Sequence, residues 1–191
     1  MLKEEAEIIV QEVFSLYEKY GAGDYIGEPV SQIEHMCQAA QLAEAEKYDE
    51  EVILASFFHD IGHLCEHIMA VQQMDGYGVT DHETLAGDYL REKGFSGKIA
   101  RLAESHVAAK RYLTFKIPGY FDKLSPASKI TLNMQGGMMT ETEARLFEKD
   151  SLHEFFIKIR EWDDKAKIKN IPLAPLDKYK QMATRHLLQQ N

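Results

Sequence analysis

The sequence predicts an all-α fold, a helical bundle of about eight helices, and three observations carry that reading. Apolar residues recur at helical spacing through nearly every segment, and no strand-like alternation lasts more than a few residues. Several segments open on Ser or Thr followed three positions later by Glu, as at Ser31–Glu34, Thr80–Glu83 and Thr140–Glu143. Glycine and proline fall between the segments, at Gly21, Gly94, Pro118, Gly136, Gly137, Pro172 and Pro175.

Taken in order, the first helix runs from Glu4 to Tyr20 and stops at Gly21. The capping box at Ser31 opens a second, which carries His35 and reaches Lys47. Asp49 caps a third, EEVILASFFHDIGHLCEH, expected as one continuous helix. Its stretch from Ile53 to Phe58 is apolar on nearly all sides, which makes it central and buried. Thr80 opens a fourth, with His82 inside it, ending near Gly94. Ser96 begins a fifth, which carries His106. Ser125 and Pro126 form the cap and first turn of a short helix that stops at Gly136. Thr140 opens another, and two more cover 151–167 and 176–189. The last of these is expected to be the least constrained part of the chain.

The 191 residues fit one domain, 1–191, with no internal repeat or low-complexity segment. A formal charge of −9 argues against a nucleic-acid partner, which would want a basic face. It leaves an anionic substrate open, because bound metal cations reverse the local sign. Cys37 and Cys65 sit in apolar helical contexts and read as reduced core residues. The N-terminus, MLKEEAEIIV, lacks a signal-peptide pattern, and no apolar run approaches the ~20 residues that span a bilayer. The expectation is a soluble cytoplasmic protein without a membrane partner.

The histidines point further. In FFHDIGH, two aromatic residues run straight into His59 and Asp60. An ionised carboxylate buried behind Phe57 and Phe58 costs several kcal/mol unless something compensates it, and a metal ion would. Of the eight histidines, His35, His59, His82 and His106 lie inside four successive predicted helices, separated by 24, 23 and 24 residues. Four antiparallel helices can aim four imidazoles at one level of a bundle. Asp60 is the natural carboxylate partner, and Asp163 is a second candidate with Asp164 competing. Imidazole and carboxylate without thiolate suit iron, manganese, zinc or cobalt. Six ligands suit two octahedral ions, with Asp60 able to bridge them. His153 and His186 read as surface residues, His67 lies near a helix end, and Met134, Met138 and Met139 read as packing.

His35, the doublet His59–Asp60 and the distant Asp163 resemble the H…HD…D pattern of the HD-domain superfamily, and His82 with His106 resembles its dinuclear branch. The stretches DYIGE, HDIGH, GYGV, HVAAKRYL, QGG and IREWD are similar to those of the mixed-valent diiron oxygenases that cleave hydroxyphosphonates, over residues 24 to 185. That resemblance implies a single HD-domain bundle with two iron ions, an Fe2+/Fe3+ pair, held by His35, His59, Asp60, His82, His106 and Asp163. Dioxygen would be the co-substrate. The substrate would be a small organophosphonate such as 2-amino-1-hydroxyethylphosphonate, giving phosphate and glycine. Tyr25 and Glu28 would form a gate, the tyrosine holding a metal position until substrate arrives and the glutamate meeting the amino group. The resemblance assigns His63 and Lys110 to the phosphonate, with Ser128 and Gln135 as further donors. Read as bare residues, Lys110 and His63 project from the same faces as His106 and His59, four residues on. Lys110 could equally be a solvated helix residue, His63 an orienter of a ligand, and Ser128 and Gln135 helix-end residues. Tyr77 would offer an aromatic face to a quaternary ammonium.

Two other readings compete. A metal-dependent HD phosphohydrolase acting on a small phosphoester or nucleotide would use a metal-bound water and need no redox chemistry. A metal-stabilised module that senses a phosphorylated ligand would need no chemistry at all. Tyr25 and Glu28 favour the oxygenase, since a hydrolase has no evident need of that gate.

Overall fold

The computed structural model describes residues 1–25 and 27–190. Among them are eleven α-helices and one 3-10 helix, and no β-strand is formed. The helices are α1 (Lys3–Tyr20), α2 (Gln32–Ala45), α3 (Glu50–Phe58), α4 (Ile61–Leu64), α5 (His82–Glu92), α6 (Gly97–Lys116), α7 (Tyr120–Lys123), α8 (Pro126–Met134), α9 (Glu141–Glu148), α10 (His153–Lys165) and α11 (Leu176–Gln189), with the 3-10 turn at Cys65–His67. Beyond the helical segments expected in order, the additions are α4, which arises from a break in the third predicted helix, and α7.

Helix starts follow the side chains that cap them. Asp49 Oδ1 accepts the Val52 N–H at 2.9 Å, and Ser96 Oγ accepts the Ile99 N–H at 3.2 Å. Ser31 and Thr140 complete capping boxes with Glu34 and Glu143. Each such cap contributes about 1 kcal/mol. The central element is α3, whose Val52, Leu54, Ala55, Phe57 and Phe58 are fully buried. It packs against α2, α6, α10 and α11, while α5 lies between α4 and α6. Phe57 stacks on Phe14 and Tyr179 with centroids 5.5 and 4.7 Å apart, and Phe58 meets Phe95 edge-on at 5.2 Å. The apolar run before His59 therefore faces an aromatic cluster, and the polar residues that follow it face away.

Four expectations need correction. The segment EEVILASFFHDIGHLCEH is not one helix: α3 ends at Phe58, Asp60 sits at φ −105°, ψ 11°, and α4 starts afresh at Ile61. His59 is thus a helix-end residue, not an interior one. Thr80 does not cap the next helix, because Asp81 takes a left-handed conformation (φ 53°) and His82 becomes the first residue of α5. The last helix is part of the core, with Tyr179, Ala183 and Leu187 fully buried against α1 and α3. His186 is buried there too, stacked on Phe95 and accepting the Ser96 N–H at 3.1 Å, so it serves the start of α6 and not the surface. His153 is half-buried and folds onto the Asp150 carbonyl. Cys37 and Cys65 are buried free thiols, as expected. Met139 joins the core, whereas Met134 and Met138 are exposed.

Two glycines set helix separations near the polar centre. A Cβ on Gly62 would lie 1.9 Å from the His82 carbonyl oxygen, so α4 and α5 touch through backbone. A Cβ on Gly87 would lie 1.9 Å from Glu104 Oε1, the carboxylate that ties α6 to Arg91. Because the Gly62 clash is with backbone, Gly62→Ala forces the two helices apart and costs about 1–3 kcal/mol. Gly97→Ala, where nothing lies within 4 Å, should stay within about 0.5 kcal/mol. Urea midpoints of the two variants check this, and equal midpoints would refute the close contact.

Candidate metal centre and substrate cavity

The break between α3 and α4 turns two consecutive residues inward. His59 and Asp60 are both buried, and His35 from α2, His82 from α5, His106 from α6 and Asp163 from α10 converge on them. His35 Nε2 lies 3.1 Å from His59 Nε2, and His82 Nε2 lies 2.9 Å from His106 Nε2. Asp60 stands between the two pairs. Its Oδ2 is 3.5 Å from His35 Nε2 and 3.4 Å from His59 Nε2. Its Oδ1 is 3.6 Å from His82 Nε2 and 3.3 Å from His106 Nε2. Asp163 Oδ1 is 3.5 Å from His35 Nε2.

Protonation follows from the far side of each ring. The four Nδ1 atoms face carbonyl oxygens: His35 on Ala166 at 2.9 Å, His59 on Ser56 at 2.8 Å, His82 on Val79 at 3.2 Å and His106 on Ala103 at 3.1 Å. A carbonyl only accepts, so each Nδ1 carries a proton and each Nε2 is the nitrogen turned to the centre. Burial pushes His82 well down and His106 down to about 4, so both are neutral. Two lone pairs then confront each other at 2.9 Å, unless one ring turns a bare nitrogen on a carbonyl. At the other pair, burial opposes charge on His59, but the adjacent Asp60 outweighs it and raises the imidazole to about 9. Asp60 Oδ2 and Asp163 Oδ1 are buried without a hydrogen-bond donor among the described residues. With His82 and His106 bare at Nε2 and two carboxylate oxygens orphaned, the centre suits cations, which would also displace the Nε2 proton of His59. His35, His59 and Asp163 offer ligand atoms that lie within 4.8 Å of one another, as do Asp60, His63 and His82.

A cavity of about 150 Å³ opens onto this centre, lined by Asp60, His82, His106 and Asp163 at one end. All six residues expected to contact substrate, Tyr25, Glu28, His63, Lys110, Ser128 and Gln135, line it, as does Tyr77. Lys110 is buried, with a 2.9 Å bond from Nζ to Thr131 Oγ1. Burial and the neighbouring Arg160 cation hold it down at about 7. It is not a solvated helix residue. His63 stacks on His82, and its Nδ1 accepts the Val79 N–H at 3.2 Å, which leaves the proton on Nε2. His63 therefore differs from the other four rings: its free nitrogen donates. Gln135 Oε1 is buried without a partner among the described residues, so this amide has capacity to spare.

Tyr25 stacks on His35 with centroids 4.1 Å apart. Burial, then the charges of Asp60 and Asp163, hold its phenol well above the usual range. Glu28 holds an unexpected partner: Lys167 Nζ lies 2.8 Å from its Oε1, which also accepts the Ser125 hydroxyl at 2.5 Å. Arg160 was likewise missed in the sequence. It is buried on the cavity wall and donates to Asp163 Oδ2 at 2.6 Å, to Asp164 and to Tyr120. Its spacing, three and four residues before the two aspartates, is the signal that could have found it. Lys167 follows the last turn of α10, where no periodicity marks it. Asp164 takes the Tyr120 hydroxyl at 2.5 Å and does not reach the centre, and His67 stacks on Tyr20 outside it.

No family model matches the chain. It is 43% identical over 178 residues to an uncharacterized protein of Acanthamoeba polyphaga mimivirus, covering 93% of this chain and 81% of that one. It is 38% identical over 159 residues to the glycine-betaine-forming 1-hydroxy-2-(trimethylamino)ethyl phosphonate dioxygenase of Leisingera caerulea, covering 83% and 80%. To the hydroxymethylphosphonate dioxygenase of Gimesia maris it is 37% identical over 175 residues, covering 89% and 84%. With two such relatives aligned over more than four-fifths of its length, this all-helical chain belongs to the HD-domain oxygenase family of the hydroxyphosphonate dioxygenases.

Proposed function

We propose that the chain, acting as one HD unit over residues 1–191, uses dioxygen to cleave the carbon–phosphorus bond of a 1-hydroxyphosphonate. The hydroxylated carbon becomes a carboxylate and the phosphonate leaves as phosphate. Each product gains one oxygen atom, one proton is released, and the substrate supplies all four electrons, so no external reductant enters the balance. We assign His35, His59, Asp163 and Asp60 Oδ2 to one iron ion and His82, His106 and Asp60 Oδ1 to a second, working as a mixed-valent pair. The observation that carries this is the division of Asp60, each of whose oxygens lies within 3.6 Å of a separate pair of imidazole nitrogens. When bound, such a pair supplies dioxygen activation and a Lewis-acidic seat for the 1-hydroxyl and a phosphonate oxygen.

The chain's own residues bind and orient. Lys110, whose ammonium has one neutral partner, and the Nε2–H of His63 hold the phosphonate from two sides. Arg160 fixes Asp163 and adds positive charge to the wall. The Ser128 hydroxyl and the side-chain N–H of Gln135 donate to the remaining phosphonate oxygens, and the orphaned Gln135 Oε1 is left to accept from a donor on the substrate. Tyr25 covers one face of His35 and keeps its proton, so an entering substrate meets a neutral phenol beside the cluster. Burial of the whole cluster excludes water from the reacting carbon.

Three measurements test this. With iron-loaded protein and hydroxymethylphosphonate in an oxygen electrode, phosphate release should match dioxygen uptake. Phosphate released from a phosphoester under anaerobic conditions would favour the hydrolase instead. His106→Ala should lower the iron content from two ions to about one, because the His35–His59–Asp163 set is untouched; unchanged content by elemental analysis would reject the assignment. Lys110→Met removes a buried charge-assisted hydrogen bond of about 1.5–3 kcal/mol and should weaken phosphonate binding by about 10–100-fold. Lys110 in the free protein titrates at about 7 and must be an ammonium when the anion is bound, so affinity falls as pH rises above that value. Calorimetry between pH 6 and 9 should show this fall in the wild type and lose it in the variant.

A further inference from the structure

The resemblance to the hydroxyphosphonate oxygenases implies a substrate ammonium at Glu28, but Glu28 is not a free carboxylate. Its Oε1 takes both Lys167 Nζ at 2.8 Å and the Ser125 hydroxyl at 2.5 Å, with side-chain exposures of 13% for Lys167 and 7% for Glu28. Lys167 also lies 3.5 Å from Ser128 Oγ and 5.9 Å from the centre of the Tyr25 ring. Tyr25, Glu28 and Ser128 line the cavity and Lys167 does not, so the lysine stands behind this wall and neutralises it.

We propose that Lys167 sets the substrate preference of the cavity. It occupies the cation's place at Glu28, so the protein takes 1-hydroxyphosphonates whose substituent is hydrogen or a small neutral group and discriminates against those bearing an ammonium. The inference rests on the carbon–phosphorus cleavage reading for its chemistry and on the Glu28–Lys167 pair for its specificity. An ammonium reaching Glu28 would meet a carboxylate already shared between a cation and a hydroxyl. It would also stand close to Lys167, in a cavity that holds Lys110 and Arg160 as further cations. A neutral substituent meets none of this repulsion and leaves the pair intact. The aromatic ring that could receive a quaternary ammonium, Tyr25, already has the Lys167 cation near it.

The test uses iron-loaded full-length protein and three probes: hydroxymethylphosphonate, 2-amino-1-hydroxyethylphosphonate and its N-trimethyl analogue. Binding is read by anaerobic calorimetry and turnover by phosphate release in air. The wild type should bind hydroxymethylphosphonate at least tenfold more tightly than either cationic probe. Lys167→Met frees Glu28 and should raise the ratio of kcat/KM for the amino probe over hydroxymethylphosphonate at least tenfold. Adding Glu28→Gln to that variant should cancel the gain, which a merely structural lysine would not do. Equal or tighter wild-type binding of a cationic probe overturns the proposal, as does a Lys167→Met variant in which all three probes weaken alike. If Lys167→Met does not fold, the wild-type ranking decides alone. Absence of dioxygen-dependent phosphate release from every probe would bring down the cleavage reading, while the anaerobic ranking would still judge the role of Lys167.

Discussion

The structure depends on one carboxylate. Asp60 is buried, its Oδ1 turned to two neutral imidazoles that have no proton to give and its Oδ2 to His35 and His59, and burial of such a group without compensation costs several kcal/mol. Two features make that arrangement possible. The chain leaves helical geometry at Asp60, so that His59 and Asp60 both project to the same side while the phenylalanines before them project to the other. And four carbonyls, from Ser56, Val79, Ala103 and Ala166, take the Nδ1 protons, which dictates which nitrogen each ring shows the centre. Three of these carbonyls lie three residues before their histidine. The fourth comes from the segment after α10, so the orientation of His35 depends on where that helix ends.

Much of this was legible in the sequence because caps and periodicity are local. The ranges of α1, α2, α6, α8 and α11 follow from Gly21, Ser31, Ser96, Ser125 and the turn around Pro172 and Pro175. The four histidines stood out through their spacing. What was not legible is nonlocal. Neither His nor Asp is a helix breaker, so nothing in HDIGH announces that the helix stops there; the close approach of Gly62 to the His82 backbone does. Asp81 adopts positive φ because the preceding loop closes on itself, with Thr80 N–H bonded to the Gln72 carbonyl at 2.9 Å. His186 looked like a surface residue on an amphipathic end helix, and only the packing of α11 across the body buries it. Lys167 was hidden for the same reason, since its partner Glu28 lies in a distant segment, whereas Arg160 could have been read from its spacing to Asp163 and Asp164 on the same helix.

Net charge proved a poor guide to the cavity. The chain carries −9 overall, yet Lys110 and Arg160 are buried on the cavity wall and a donating His63 joins them. Acidic residues are spent in surface pairs such as Lys93–Glu12 and Arg185–Glu50, which contribute little each. The basic residues that matter are few, desolvated and aimed. Bulk charge therefore bears on long-range partners, whereas the ligand is chosen by a handful of groups within a few ångströms.

The turn that follows α10 joins two ends of the cavity. Ala166 gives its carbonyl to His35, and the next residue, Lys167, reaches the Glu28 carboxylate. A shift of that turn cannot alter one contact without straining the other. The region that reads the variable part of a ligand is thus mechanically geared to a ring of the inner cluster. A chain that drifted toward new ligands through this lysine would have to keep its neighbour's backbone still, which confines such drift to side-chain exchange and disfavours insertions or deletions here.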